Sequence, residues 1–147
     1  MIERAKAKVG KNRHYLPYLV WAVALGATVG SLVMSELLHF VPCVLCWWQR
    51  LLIYPLVVVV GVAILKRDDS WVYSTLVLSG IGSVVAFYHS LLQWGILPEQ
   101  VAPCNAVVSC ITKQIAWFGF ITIPFMSFVA FGLIFAATWV YLRTRSR

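Results

Sequence analysis

Residues 46–65 read CWWQRLLIYPLVVVVGVAIL, twenty consecutive residues with a single charge, Arg50. An α-helix rises about 1.5 Å per residue, so about 20 such residues cross the roughly 30 Å hydrocarbon core of a bilayer. Three more runs of this kind flank it. Leu16–Ser35 and Ile121–Leu142 carry no charge, and Trp71–Trp94 carries only His89 as a titratable group besides its tyrosines. In lipid the backbone must satisfy its polar groups within its own segment, and runs of this length do so as helices, not as barrel strands. The expectation is an all-α membrane protein, a four-transmembrane-helix bundle forming one domain over 1–147. Its helices fall at about 16–38, 44–65, 71–94 and 121–142, with loops at 39–43 and 95–120 on one side.

Composition points the same way. The chain is 61% hydrophobic and 12% charged, about half the charge of an ordinary soluble domain. A net charge of +7 raises the question of nucleic acid. The basic residues, however, sit at the chain ends and in one short loop rather than along a helix face, and no nucleic-acid partner is expected. Laid over the four runs, Arg4, Lys6, Lys8, Lys11, Arg13, Lys66, Arg67, Arg143, Arg145 and Arg147 share one side, while the opposite loops hold only Lys113. Basic loops stay in the cytoplasm, so both termini are expected there and loops 39–43 and 95–120 outside it. The charged head and first run have the outline of a secretory signal. The run is long for one, and Ala22–Gly26 makes only a loose small-residue cleavage site, so it reads as a retained helix.

Small residues recur at helical spacing. Gly26 and Gly30, with Ala22 a turn earlier, are expected to let a neighbouring helix approach the first one closely, and Ser79, Ser83, Ala86 and Ser90 to do so on the third. Gly95 and Pro98 end the third run. In the long loop beyond, Val107, Val108, Ile111, Ile115 and Phe118 recur beside polar residues as in a short amphipathic helix lying on the outer surface.

The four cysteines, Cys43, Cys46, Cys104 and Cys110, all fall in or beside the two outer loops, where disulfides are permitted. Cys43-Val-Leu-Cys46 opens the second helix directly behind Pro42. A helix N-terminus carries partial positive charge, which favours a thiolate and makes the corresponding disulfide more oxidising. Arg50 stands one turn below Cys46. An arginine about 10 Å inside the membrane boundary is a candidate functional residue, the plain alternative being a side chain snorkelling to the headgroups. On the third helix His89 and Gln93 stand four residues apart, with His89 at about the depth of Arg50. Polar groups at one depth beneath a cysteine pair suit the carbonyl oxygens of a planar, lipid-soluble quinone, although an interhelical hydrogen bond explains an isolated His89 equally well. Cys104 and Cys110, with five residues between them and Pro103 before the first, fit a loop staple and an exchanging pair alike. The spacings do not suit a zinc site, and no metal is expected.

The run Pro42-Cys43-Val44-Leu45-Cys46-Trp47-Trp48-Gln49-Arg50 resembles the signature of the bacterial disulfide bond formation protein B family, and Tyr88-His89-Ser90-Leu91-Leu92-Gln93 is similar to that family's third-helix segment. The resemblance implies a membrane thiol–quinone oxidoreductase, using ubiquinone or menaquinone, that reoxidises an extracytoplasmic thioredoxin-fold thiol oxidase. It implies that Cys43 and Cys46 are the quinone-proximal pair, with Cys46 in contact with quinone and Arg50 assisting. It further implies that His89 lies near the quinone, that Cys104 receives the mixed disulfide with the partner, and that Cys110 passes electrons to Cys43. The short spacing of the loop cysteines resembles a short-loop branch of the family. Two other readings compete: a quinone reductase of the vitamin K epoxide type, whose active pair falls late in the chain, and a non-enzymatic four-helix protein with inert disulfides, which has no need of Arg50.

Overall fold

The computed structural model describes residues 15–39, 41–98, 110, 116–117 and 121–145. Four helices account for most of them: α1 (Leu16–Leu32), α2 (Val44–Lys66), α3 (Trp71–Gln93) and α4 (Ile123–Arg145). By length and composition all four are able to cross a membrane. They form an all-α bundle in which each helix packs on its neighbour in chain order and α1 closes the ring against α4. The helix α3 is the most enclosed of the four and α1 the least.

The ends of the helices are set locally. Pro17 sits in the first turn of α1, where its missing N–H removes nothing. Beyond Leu32 the helix continues as a π-helical turn, Val33–Leu37, with the Leu38 N–H donating to the Val33 carbonyl. Gly95 (φ 75°) ends α3. The Gly95 N–H donates to Leu92 O and the Ile96 N–H to Leu91 O, a reciprocal closure that needs a left-handed residue at Gly95. The last helix begins at Ile123 rather than 121. Residues 121–122 are instead drawn into a two-stranded antiparallel ladder, β1 (Ala116–Trp117) with β2 (Ile121–Thr122), in the register Ala116↔Thr122 and Trp117↔Ile121. It ends at Arg145 rather than 142, because Tyr141 and Arg145 are held by Asp69 in the α2–α3 connection. The surface helix expected over 107–118 lies largely outside the described residues, and its described end, Ala116–Trp117, is strand.

Close packing is concentrated on α3 and α4 and differs from the sequence expectation for α1. A Cβ built on Gly82 would overlap the ring of Phe131, so only glycine lets α4 come this near. At Gly61 the same atom would meet Trp21 Nε1 at 3.0 Å, and that indole donates to the Val57 carbonyl across the α1–α2 contact at 3.1 Å. Gly26 and Gly30, expected to mediate a close approach, have nothing within 4 Å of their missing side chains. The reason is a cavity beside them. On α3 the hydroxyls of Ser79 and Ser90 donate to carbonyls one turn back, Thr75 O at 2.6 Å and Ala86 O at 2.8 Å. These groups are satisfied within their own helix and pack as small residues.

Candidate active site

Cys43 takes the N-cap position of α2 with extended backbone (φ −73°, ψ 170°), and Cys46 lies in the first turn. The two thiols are free, with their sulfurs hydrogen-bonded at 3.2 Å. Their surroundings differ. Cys43 is 7% exposed and belongs to a buried cluster with Leu45, Leu92 and Cys110. Cys46 lies on the wall of a cavity of about 370 Å³ between α1, α2 and α4.

The cavity is built by helical periodicity. Cys46, Gln49, Arg50 and Ile53 follow at i, i+3, i+4 and i+7 and line it together, as residues on one helix face must. Facing them are Gly26 and Gly30 on α1 and Ser127 on α4, while α3 contributes nothing to the wall. The bare backbone at Gly26 and Gly30 leaves the volume open. Gly26 and Met126, both lining residues, are exposed, so the cavity opens to the surface of the bundle.

Arg50 does not simply extend outward. Its Nη2 donates to the Ser31 carbonyl at 2.9 Å, its guanidinium carbon lies 5.9 Å from the Trp47 ring centroid, and it lines the cavity. His89 is 1% exposed and lies on the other side of the dithiol, its Nε2 3.7 Å from Cys43 Sγ and its Nδ1 3.1 Å from Gln49 Nε2. Gln93, one turn further along α3, donates from Nε2 to the Cys110 carbonyl at 3.5 Å. The three residues expected to form one cofactor-binding group are therefore divided. Arg50 is on the cavity wall, whereas His89 and Gln93 face the thiol side and are not lining residues.

The Cys43 thiol is held well below the ordinary thiol value. The largest cause is its hydrogen bond with the Cys46 thiol; the contacts with His89 and the Cys46 backbone N–H act in the same direction, against burial, which raises it. Cys110 is 1% exposed and disulfide-bonded; Cys104 lies outside the described residues. Cys43, Cys46 and His89 bring one donor atom each within 4.8 Å of one another. That is one donor short of a closed zinc site, and two of the three are the dithiol itself.

Gln49 is the site residue that the sequence reading passed over. It is 6% exposed, lines the cavity and touches His89. The signal was its place on the Cys46–Arg50–Ile53 face, which the stronger charge of Arg50 overshadowed.

Comparison with known proteins agrees with this arrangement. Residues 13–141 match the family described as "Disulfide bond formation protein DsbB". The chain is 44% identical to the "Probable disulfide formation protein" of Oceanobacillus iheyensis, over 95% of this chain and 97% of that one. It is 44% identical to "Disulfide bond formation protein C" of Bacillus subtilis, over 84% and 90%, and 40% identical to a "Probable disulfide formation protein" of Deinococcus radiodurans, over 85% and 87%. No solved structure matches the chain. A dithiol at a helix N-terminus, backed by a third, disulfide-bonded cysteine, thus stands in a chain that belongs to the DsbB family of disulfide bond formation proteins, as a disulfide oxidoreductase.

Proposed function

We propose that the protein is a membrane dithiol:quinone oxidoreductase, which takes electrons from an extracytoplasmic thioredoxin-fold thiol oxidase and delivers them to a quinone in the bilayer. The observation that carries this reading is the cavity that holds Cys46 and Arg50 on its wall and opens to the surface of the bundle. Its volume of about 370 Å³ lies within the range of small-molecule sites, about 300–1,000 Å³. A planar, largely apolar molecule with carbonyl acceptors suits a wall that offers apolar side chains, one guanidinium donor and one thiol. Ubiquinone and menaquinone both have that chemistry. The basic residues put both termini in the cytoplasm and the cysteines on the extracytoplasmic face.

The relay follows from which sulfur faces which surroundings. A thiolate of the partner attacks Cys104 of a Cys104–Cys110 disulfide and Cys110 departs with the bonding pair; the partner's second thiol then releases Cys104 and leaves oxidised. Cys110 shares a buried cluster with Cys43, so its thiolate attacks Cys43 of the Cys43–Cys46 disulfide, and Cys46 is the leaving sulfur, on the cavity side. Cys104 then closes on Cys110, which restores the loop disulfide and frees Cys43. The remaining Cys43–Cys46 dithiol returns to the disulfide by giving up two electrons and two protons. Quinone, when bound, accepts both. Arg50 orients the acceptor by donating a hydrogen bond, and the apolar walls exclude water.

The test is to mix purified, reduced protein anaerobically with short-chain quinone analogues while following quinone absorbance and the thiol content of the Cys43–Cys46 peptide. Stoichiometric quinol with loss of those two thiols is expected. Intact thiols in the presence of quinone would overturn the reading. On the donor side, Cys110→Ser should accumulate a reducible covalent complex with a thioredoxin-fold protein through Cys104, because the resolving thiol is missing.

A further inference from the structure

A glutamine buried where α2 packs against α3 in a membrane bundle needs a reason, because an amide placed there without a partner is costly. The amide nitrogen of Gln49 lies 3.1 Å from His89 Nδ1. With the amide in this orientation its nitrogen donates and Nδ1 accepts. A neutral imidazole with Nδ1 as acceptor carries its hydrogen on Nε2. That nitrogen lies 3.7 Å from Cys43 Sγ, within reach of an N–H···S hydrogen bond. The orientation of one amide therefore fixes which ring nitrogen carries the proton facing Cys43.

We propose that Gln49 is a positioning residue for the dithiol: it holds His89 in the ring orientation and tautomer whose Nε2–H donates to the Cys43 sulfur and so stabilises the reduced pair. Turning the ring or exchanging its tautomer would bring a lone pair against the sulfur instead. The contacts leave His89 little other role, since it is 1% exposed and does not line the cavity. The lowered pKa of the Cys43 thiol, to which His89 contributes, is consistent with this. Gln49 also lines the cavity, so the same side chain borders the acceptor site and supports the sulfur behind it. A hydrogen bond to the reduced sulfur is lost when that sulfur enters the disulfide. The contact therefore favours the dithiol and makes the disulfide a stronger oxidant of the loop pair.

This inference rests on the reading that Cys43 and Cys46 form an exchanging pair, and the experiment separates the two. Full-length protein is equilibrated with glutathione buffers in the absence of quinone, and the redox state of the Cys43–Cys46 peptide is read by differential alkylation and mass spectrometry. Gln49→Met keeps the volume without a donor; Gln49→Asn keeps an amide donor for the imidazole. Gln49→Met is expected to shift the equilibrium about tenfold towards the disulfide, or about 30 mV for a two-electron couple, with Gln49→Asn recovering part of the difference. His89→Leu should match Gln49→Met, and the double variant should add nothing further. An equilibrium unchanged in Gln49→Met overturns the proposal while leaving the exchanging pair intact. A wild-type pair that fails to equilibrate at any glutathione ratio overturns both. If Gln49→Met does not fold, His89→Leu decides: a wild-type equilibrium in that variant would refute the positioning role.

Discussion

Two polar clusters bridge helices in this molecule, one at each end of the bundle, and they have been built on opposite terms. At the end formed by the α2–α3 connection, Asp69 accepts from the Tyr141 hydroxyl, pairs with Arg145 at 3.5 Å, and lies beside the Trp71–Tyr141 ring contact. Polar groups there are spent on one another. At the cysteine end, Gln49, Arg50 and His89 also have partners, yet Gln49, Arg50 and Cys46 border an open volume as well. Hydrogen bonding alone does not distinguish a clamp from a site. What distinguishes them is polar and nucleophilic atoms held fixed against space that another molecule can fill.

The most severe way to break this comparison is at Cys46. Cys46→Ser should reduce quinone-coupled thiol oxidation to background in a purified oxidase assay, whereas Asp69→Asn should retain near wild-type turnover. Comparable losses in the two would mean that the ends are not functionally distinct. Arg50→Gln comes next. A hydrogen bond from a charged donor contributes about 1.5–3 kcal/mol, so the KM for quinone should rise by about one to two orders of magnitude, with exchange between loop pair and partner nearly unchanged. Loss of partner exchange instead would place Arg50 in the scaffold.

The glycines sharpen the contrast in stability. Overfilling a packed contact costs about 1–3 kcal/mol, so Gly82→Ala, against Phe131, should destabilise the bundle by about that much in detergent unfolding. Gly30→Ala, with open space before it, should change stability by less than about 0.5 kcal/mol. A small effect is expected at the clamp as well. Asp69→Asn keeps a hydrogen-bond acceptor and removes a partly exposed ion pair, an interaction of about 0–1 kcal/mol; a loss well beyond that would mark Asp69 as a keystone of the fold.

The four spans were legible because lipid imposes length and apolarity on each segment separately, before any packing is known. Cys43, Cys46 and Arg50 were legible because a cysteine pair at a helix start and a charge one turn below it are local patterns. Packing between helices was not. Gly26 and Gly30 have the spacing of a close contact, but whether a neighbour fills such a groove is decided by the neighbour; here it leaves a cavity, and the close contacts fall at Gly61 and Gly82. The azimuth of His89, which turns it towards Cys43 and Gln49, does not follow from counting residues along a helix. Residues 121–122 are apolar enough for a helix, and their strand pairing depends on 116–117.

The opposed outlooks of Cys43 and Cys46 have a further consequence. Their sulfurs are 3.2 Å apart, yet Cys43 is buried within the cluster of Leu45, Leu92 and Cys110, whereas Cys46 packs against that cluster and also opens on the cavity. In the proposed relay the first turn of α2 acts as a bulkhead with a single conducting rivet: current crosses when a bond is made on one side and broken on the other, and a bystander thiol has no direct path to the oxidant.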